Sequence, residues 1–480
     1  MRLLITGASG FVGTPLARRL FLDGHELIIL SRDVPRARRQ VGVKATYVEW
    51  DPATGPPPES ATRGIDGVLN LMGENLGAGR WTAERKKAIY DSRVVGTDHL
   101  VAGVREANAN GIGVWINFSA VGYYPVNDTR TFDEDGPAGD GFAAGVCADW
   151  ETAAARGNPA QRQVVLRVGT VIGANGGALD KLLPPFKAGV GGPVGSGRQM
   201  MSWIHRDDLV ELCARCVSDT KMSGVYNAVA PEPVSNGDFS RALGAALGRP
   251  ALVPVPPVAL KLALGEMVQL VLDSQSIVSS RLGDAGFVFR YGEPRAALDE
   301  AVGRLAIGLN GKTHVCDRFE DFTFFNRPVE QVFEFFGNPR NLEKITPDQL
   351  RFRVEAVSSE PVEVNTVIDY RLRLHGVPMK WKTLIREWRP PQQFVDFQLK
   401  GPYRLWHHQH RFIPVAGGTA MLDRVDYRLP LGPLGGIVQP LVARDVRRIF
   451  DHRHETILRL FDDGDNAPSA GDRSTIRAEP

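Results

Sequence analysis

Cysteine is scarce in this chain: four residues in 480, Cys147, Cys213, Cys216 and Cys316, with no regular spacing. That excludes a disulfide framework, and the lack of a second cysteine pair excludes a zinc ribbon. Cys213-Ala214-Arg215-Cys216 is formally C-x-x-C, but it lies inside the apolar-periodic run Leu209–Val217, so it reads as helix core rather than a redox motif. No apolar run reaches ~18 residues, so no transmembrane helix is expected. The first residues already pattern as a strand, which argues against a signal peptide. Net charge is only +2 and no basic block stands out, so nothing points to nucleic acid. These absences together predict a cytoplasmic protein in a reducing compartment. What is present is ordinary globular composition, 43% apolar and 23% charged, over a length that needs two or three domains.

Against that plain background one phrase carries chemistry. Thr6–Gly13, TGASGFVG, follows the apolar run Leu3–Ile5 and opens the amphipathic segment Thr14–Leu22. Strand, glycine turn and helix in that order make a phosphate cradle. Gly7 permits a tight turn, Gly10 lets backbone N–H groups approach a pyrophosphate, and Gly13 lets the helix pack close to the strand. The backbone of Phe11 and Val12 belongs to the same bend, and the helix N-terminus offers unpaired N–H donors to the phosphates.

The first ~300 residues alternate short strands with helices, which predicts a doubly wound parallel sheet with right-handed crossovers. Strands are expected at Arg2–Thr6, Glu26–Ser31, Ala45–Glu49, Gly67–Leu71, Val114–Ser119 and Gln163–Val168. Helices are expected at Pro15–Asp23, Ala83–Glu106 and Ala143–Arg156. A smaller substrate-side lobe, about 171–303, completes a first domain spanning 1–307. Within it Asn236–Leu247 reads as a helix, Phe287–Phe289 as a short strand and Pro294–Val302 as a closing helix. Gly308–Thr313, GLNGKT, reads as a linker.

From there the pattern becomes α+β over 314–463. A short helix at Val332–Phe336 precedes strands at Arg351–Ser358, Val367–Leu374, Met379–Trp388, Phe394–Leu399, Leu405–Pro414 and Thr419–Leu429. A long helix, Val438–Asp462, closes the domain. The polar tail 464–480 is expected to be disordered.

Cofactor choice is read at the end of the second strand, where NAD sites carry an acidic residue and NADP sites an arginine or small polar one. Here the strand runs into Ser31-Arg32, which favours NADP over NAD. Asp33 is the counter-evidence, as an acidic residue one position late. The phrases NLMGE (Asn70–Glu74), RWT (Arg80–Thr82), SRVVGT (Ser92–Thr97), FSAVGYYP (Phe118–Pro125) and CADWE (Cys147–Glu151) follow in order. So do LPPFKAGVGGPVGSGRQMMSWIHRDDL (Leu183–Leu209) and DAGFVFR (Asp284–Arg290).

These phrases resemble the atypical, extended branch of the short-chain dehydrogenase/reductase superfamily, and within it the "epimerase family" proteins. A cell-division-inhibitor-like label carried by some of those has no support in these residues. The resemblance implies a Rossmann fold in which Asp51 meets the adenine side. It passes Leu71, Met72 and Gly73 along the adenosine and ribose, and sets Ser119 beside the nicotinamide to polarise a substrate oxygen. Glu74, Arg198 and His205 would lie on the substrate side.

Hydride-transferring relatives pair a Tyr with a Lys four residues on, because a neighbouring ammonium favours the phenolate that serves as base. Anchored on Glu151, those positions hold Ala143 and Cys147, and no Tyr-x-x-x-Lys occurs anywhere. Two readings follow. Either Tyr123 or Tyr124, just past the strand bearing Ser119, or Glu74 supplies the acid/base, or the domain binds NADP(H) without turnover as a sensor or scaffold. Both tyrosines also read as packing beneath the sheet edge.

The later residues resemble the START-like (SRPBCC) helix-grip superfamily through FNRPVEQVFEFFGNPRNLEKITP (Phe325–Pro347), GVPMKWKT (Gly376–Thr383), FVDFQLKGPYRLWHHQHRF (Phe394–Phe412) and GTAMLDRVDYRLP (Gly418–Pro430). That resemblance implies a curved antiparallel sheet gripping a long helix over an apolar cavity, and so an apolar ligand. His407, His408 and His410 invite a metal reading, with His408 and His410 on one strand face. No carboxylate at suitable local spacing completes a site, so no metal is expected. The partners expected are an unknown small-molecule substrate and this apolar ligand.

Overall fold

The computed structural model describes residues 1–462 apart from 128, 175, 304, 310, 311 and 431–434. The tail expected to be disordered lies outside the described residues. The chain forms two compact units, Met1–Arg304 and Leu305–Pro480.

Seven strands make the main sheet of the first unit: β1 (Arg2–Thr6), β2 (Glu26–Ser31), β3 (Thr46–Glu49), β4 (Gly67–Asn70), β5 (Ile112–Ala120), β6 (Ala160–Val168) and β7 (Gly224–Ala228). They lie side by side as β7-β6-β5-β4-β1-β2-β3, every pairing parallel. The order reverses between β1 and β4, which opens a crevice at the carboxyl ends of those strands. β4 is buried along its whole length and β1 from its second residue, so both read as continuous apolar runs rather than alternating ones. Helices α1 (Gly13–Leu22), α2 (Ala83–Ala107), α3 (Phe142–Ala155) and α4 (Arg206–Ser218) belong to the same unit. The expected strands and helices are present with ends moved by up to three residues. Cys213 and Cys216 are buried in α4 as free thiols, as the helix-core reading required.

A buried polar knot pins the strand ends. Thr6 Oγ1 donates to Asn70 Oδ1 at 2.8 Å, and the Asn70 amide donates to Thr97 Oγ1 (2.9 Å) and Asn117 Oδ1 (2.7 Å). Each buried group has a partner, so the knot fixes register instead of weakening the core.

In the smaller lobe, Phe287–Phe289 is irregular rather than a strand. The reason is local: the buried Asp208 carboxylate takes the backbone N–H groups of Arg290 (2.8 Å) and Tyr291 (3.0 Å), so donors next to it are satisfied without a ladder. Phe287 and Phe289 instead meet edge-on with centroids 4.9 Å apart.

The second unit is one eight-stranded antiparallel sheet. Its strands are β8 (Leu305–Leu309), β9 (Lys312–Phe325), β10 (Arg353–Val357), β11 (Val367–Leu374), β12 (Val377–Arg389), β13 (Gln393–Lys400), β14 (Leu405–Val415) and β15 (Gly418–Arg428). Their order is β8-β9-β15-β14-β13-β12-β11-β10. The segment expected as a linker thus lies largely in strands, Leu309 pairing with Lys312 and Gly308 with Thr313. Asn310-Gly311 between two such runs is a hairpin signal that the linker reading overlooked. The helix α5 (Gly435–Asp462) packs Val446, Phe450 and Ile457 inward.

Candidate functional sites

The glycine bend between β1 and α1 is tightly specified. Gly7 adopts φ +69°, and a Cβ there would lie 2.8 Å from the Leu71 carbonyl oxygen. A Cβ on Gly13 would overlap the Gly7 carbonyl oxygen and stand 2.7 Å from Ala8 Cα. Strand, bend and helix therefore approach as only glycine allows. Val12 caps α1 without a side-chain hydrogen bond. Gly10 N donates to the Gly7 carbonyl and Thr14 N to the Gly10 carbonyl, each at 3.0 Å, so the N–H groups turned toward another acceptor are those between them, from Phe11 to Gly13. Phe11 turns its ring toward Gly173, Gly176 and Gly177, with the Arg206 guanidinium 5.4 Å from the ring centroid, so only its backbone serves the bend.

At the end of β2 the acidic residue that would suit NAD is otherwise engaged. Asp33 is the N-cap of the helix Val34–Val41, its carboxylate accepting from Arg36 N at 2.9 Å, and its own N–H donates to Ser31 Oγ at 3.1 Å. A carboxylate so employed is a capping group. The Arg32 side chain is 68% exposed, its guanidinium 3.7 Å from Glu74. Asp51 Oδ1 accepts from Ala53 N (3.0 Å) at the surface, Met72 is buried and Leu71 half-buried. A Cβ on Gly73 would meet the Arg93 guanidinium at 2.8 Å.

Past β5 stands a second cluster. Ser119 Oγ donates to Glu151 Oε1 at 2.6 Å, and Arg167 forks onto both oxygens of Glu151 at 2.9 Å each. The same guanidinium donates to the Tyr124 hydroxyl (2.8 Å) and lies 3.4 Å from the Tyr123 ring centroid. Tyr124 is 1% exposed, and its hydroxyl donates in turn to Asn227 Oδ1 at 2.7 Å. Burial pushes its pKa up, against the pull of Arg167. A phenol buried, bonded twice and held protonated is a strut, which is the packing reading. Tyr123 is half-buried beneath Arg167.

Ala143 and Cys147 lie close to Gly122, whose Cβ would be 3.6 Å from Ala143 Cβ and 3.9 Å from Cys147 Sγ. Burial pushes the Cys147 thiol up to about 11, so it is not a thiolate nucleophile at neutral pH.

Two substrate-side expectations meet different surroundings. His205 is fully buried: its Nδ1 accepts from Asp207 N (3.2 Å), its Nε2 lies 2.8 Å from Glu300, and its ring packs 4.0 Å from Tyr291. Accepting at Nδ1 places the hydrogen on Nε2, so this histidine is a helix cap and core residue. Arg198 is exposed on the glycine-rich segment. Glu74 is held by Arg85 at 2.9 Å as well as facing Arg32. Sequence reasoning missed Glu151 and Arg167 as a pair, because strand order alone brings α3 and β6 together. It also missed Arg93, whose burial lowers its pKa and whose charge reaches Cys147.

The second unit holds a cavity of about 150 Å³ between its sheet and α5. That is roughly tenfold the space one water needs. Trp381, Trp388, Phe394, Tyr403 and Trp406 supply aromatic wall, as the resemblance implied. Asp396, His408, His410 and Arg453 also line it. His408 lies 3.2 Å from Asp396 through Nδ1 and 3.2 Å from Asp423 through Nε2. His410 lies 3.2 Å from Asp396 through Nε2 and 2.6 Å from Asp423 through Nδ1. The carboxylates come from the flanking strands β13 and β15, which is why a search for local spacing found none. Burial alone would lower the His408 pKa; the two carboxylates outweigh it and lift it to about 9. Both carboxyls are held well below their usual range by the imidazoles, against burial. One donor atom each from Asp396, His408 and His410 falls within 4.8 Å, close enough for a metal ion. The imidazolium of His408 and the nearby Arg453 cation oppose a dication there, and the arrangement reads as a buried ion-paired square.

Family comparisons follow this division. Residues 3–228 match the profile described as "NAD dependent epimerase/dehydratase family". Residues 255–301 match a domain of unknown function, DUF1731, and residues 325–451 match "Polyketide cyclase / dehydrase and lipid transport". Epimerase family protein SDR39U1 of Mus musculus is 37% identical over 306 residues, 63% of this chain and 100% of that protein. The chloroplastic SDR39U1 homolog of Arabidopsis thaliana is 37% identical over 306 residues, 62% of this chain and 86% of that protein. The crystal structure of human epimerase family protein SDR39U1 (isoform2) with NADPH aligns with a TM-score of 0.57 at 34% identity, covering 64% of this chain and 100% of that one.

Proposed function

The chain belongs to the NAD-dependent epimerase/dehydratase family, in its SDR39U1-like epimerase-family branch with a fused polyketide-cyclase and lipid-transport type domain, and on that footing we propose that it is an NADP(H)-dependent oxidoreductase acting on a small-molecule substrate, its second unit holding an apolar ligand. The observation that carries the cofactor reading is the bend that a Cβ on Gly7 or Gly13 would fill. Its backbone N–H groups and the uncapped start of α1 suit a pyrophosphate, and Ser31 with the exposed Arg32 suits a ribose 2′-phosphate. NADP(H), when bound, supplies hydride chemistry. Ser119, with its hydrogen directed at Glu151, offers an acceptor oxygen to a substrate hydroxyl. A proton leaving that hydroxyl would pass to Ser119 Oγ as the serine hydrogen passes to Glu151. Arg167 holds Glu151 in place, and Arg93 brings positive charge toward Cys147, the position where the resemblance to hydride-transferring reductases implies a lysine.

One observation favours a second reading. Tyr124 is sealed in the core and the Tyr and Lys positions are empty of both, which suits an NADP(H) sensor without turnover. Calorimetry with NADPH and NADH tests the cofactor: heat from NADPH well above NADH is expected, and heat from neither overturns the proposal. NADPH oxidation over a panel of carbonyl compounds then separates the readings. Turnover lost in Ser119→Ala supports the oxidoreductase; tight binding with no consumption over the panel leaves the sensor.

A further inference from the structure

Among the described residues Arg453 is the one guanidinium lining the aromatic cavity of the second unit. It projects from α5, rests 5.4 Å from the Phe450 ring centroid, and its buried Nε has no hydrogen-bond partner among the described residues. The carboxylates nearest in charge, Asp396 and Asp423, are each bridged by both His408 and His410 at 2.6–3.2 Å. No ion pair ties either to Arg453 among the described residues, and Tyr370 is the remaining titratable group it feels. A guanidinium without a partner in apolar surroundings is costly, and burial accordingly lowers its pKa. The planar fork matches one carboxylate or phosphate head. Elsewhere in the cavity Trp381, Tyr403, Trp406 and Ile449 offer wall to an apolar body, and the other cation that lines it, His408, is already paired with Asp396 and Asp423.

We propose that this cavity takes an amphipathic anion, its single acidic head on Arg453 and its apolar body along the aromatic wall. The inference rests on the reading of the second unit as an apolar-ligand module and names the ligand class. The ion-paired square beside Arg453 has a part in this. By occupying Asp396 and Asp423, the two histidines keep internal carboxylates from closing on Arg453, so its charge stays available to a ligand.

The test uses the full chain and three probes of equal length: decanoate, decyl phosphate and decan-1-ol. Binding is followed by calorimetry and by the fluorescence of the cavity tryptophans at about pH 7.5, where a carboxylic acid is ionised. At least one anion is expected to bind roughly tenfold or more tighter than the alcohol, ~1.4 kcal/mol. Arg453→Gln should reduce that preference to within about twofold while leaving the alcohol affinity unchanged. Retained alcohol binding shows that the variant is folded, and Arg453→Lys, which keeps the charge, should retain part of the preference. Equal binding of alcohol and anions by the wild type overturns the inference and leaves the apolar-ligand reading standing. Binding of none of the three removes both.

Discussion

In the first unit the buried guanidinium of Arg167 is engaged on every side: both oxygens of Glu151, the Tyr124 hydroxyl and the face of Tyr123. In the second, Arg453 has an aromatic neighbour and, among the described residues, no hydrogen-bonded partner at Nε. The difference separates two ways of preparing a binding site. The first unit completes its side-chain network internally and turns backbone amides of a glycine bend toward the ligand. The second pairs its carboxylates with histidines and leaves the Arg453 guanidinium without a bonded partner, among the described residues, in a largely aromatic cavity. Recognition in the first case depends on where a Cβ is missing, and in the second on which charge is left over.

That contrast can be broken most directly at the bend. Gly13→Ala forces a Cβ onto the Gly7 carbonyl, and loss of NADPH binding by at least about a hundredfold is expected, with roughly 1–3 kcal/mol of destabilisation from overpacking. Calorimetry with an intact circular dichroism spectrum checks it; unaltered NADPH affinity would show that the backbone is not the ligand surface.

The next effect sits in the completed network. Glu151→Gln leaves Arg167 buried without a counter-charge and should cost about 3–5 kcal/mol in the first unit. Hydrogen exchange of the β5 and β6 amides reads that cost, and an unchanged exchange rate would mean that Arg167 is compensated elsewhere.

The square of the second unit makes a pH prediction with a defined sign. The His408 pKa is raised from 6.5 to about 9, so its contribution is complete below about pH 6.5 and is lost as pH climbs through 9. Asp396 and Asp423 are shifted down, so theirs is present above the ordinary carboxylate range and lost on strong acidification. Protection of the β14 amides should therefore fall between about pH 7 and 10, by about 3 kcal/mol. In His408→Gln the slope over that window should disappear.

A smaller effect sharpens the comparison at its rim. Arg32→Ala removes an exposed charge, so the fold should be unaffected, while the preference for NADPH over NADH should drop about tenfold, ~1.4 kcal/mol. Titration of both nucleotides measures it, and an unchanged ratio would move the 2′-phosphate contact elsewhere.

What could be read from the sequence follows the same division. The bend was legible because its residues are contiguous and each glycine has a geometric reason. Asp33 was ambiguous in sequence, since only the geometry distinguishes a ribose ligand from an N-cap. Glu151 ends a phrase already singled out and Arg167 lies in an expected strand, yet their pairing depends on α3 crossing to β6. His408 and His410 lacked a local carboxylate because antiparallel register, not spacing, brings Asp396 and Asp423 beside them. His205 is ambiguous in sequence because a cap and a ligand present the same imidazole; its burial against Glu300 and Tyr291 shows the cap.

The four cysteines give each unit its own stopwatch. Cys147, Cys213 and Cys216 are sealed in the first unit and Cys316 in the second, and burial raises every one of these thiols, Cys216 to about 12 and Cys316 to about 11. An alkylating reagent therefore marks a cysteine only after its surroundings open. Timed labelling with peptide mapping would clock the breathing of the nucleotide half and the cavity half separately, in one tube, with no engineered probe.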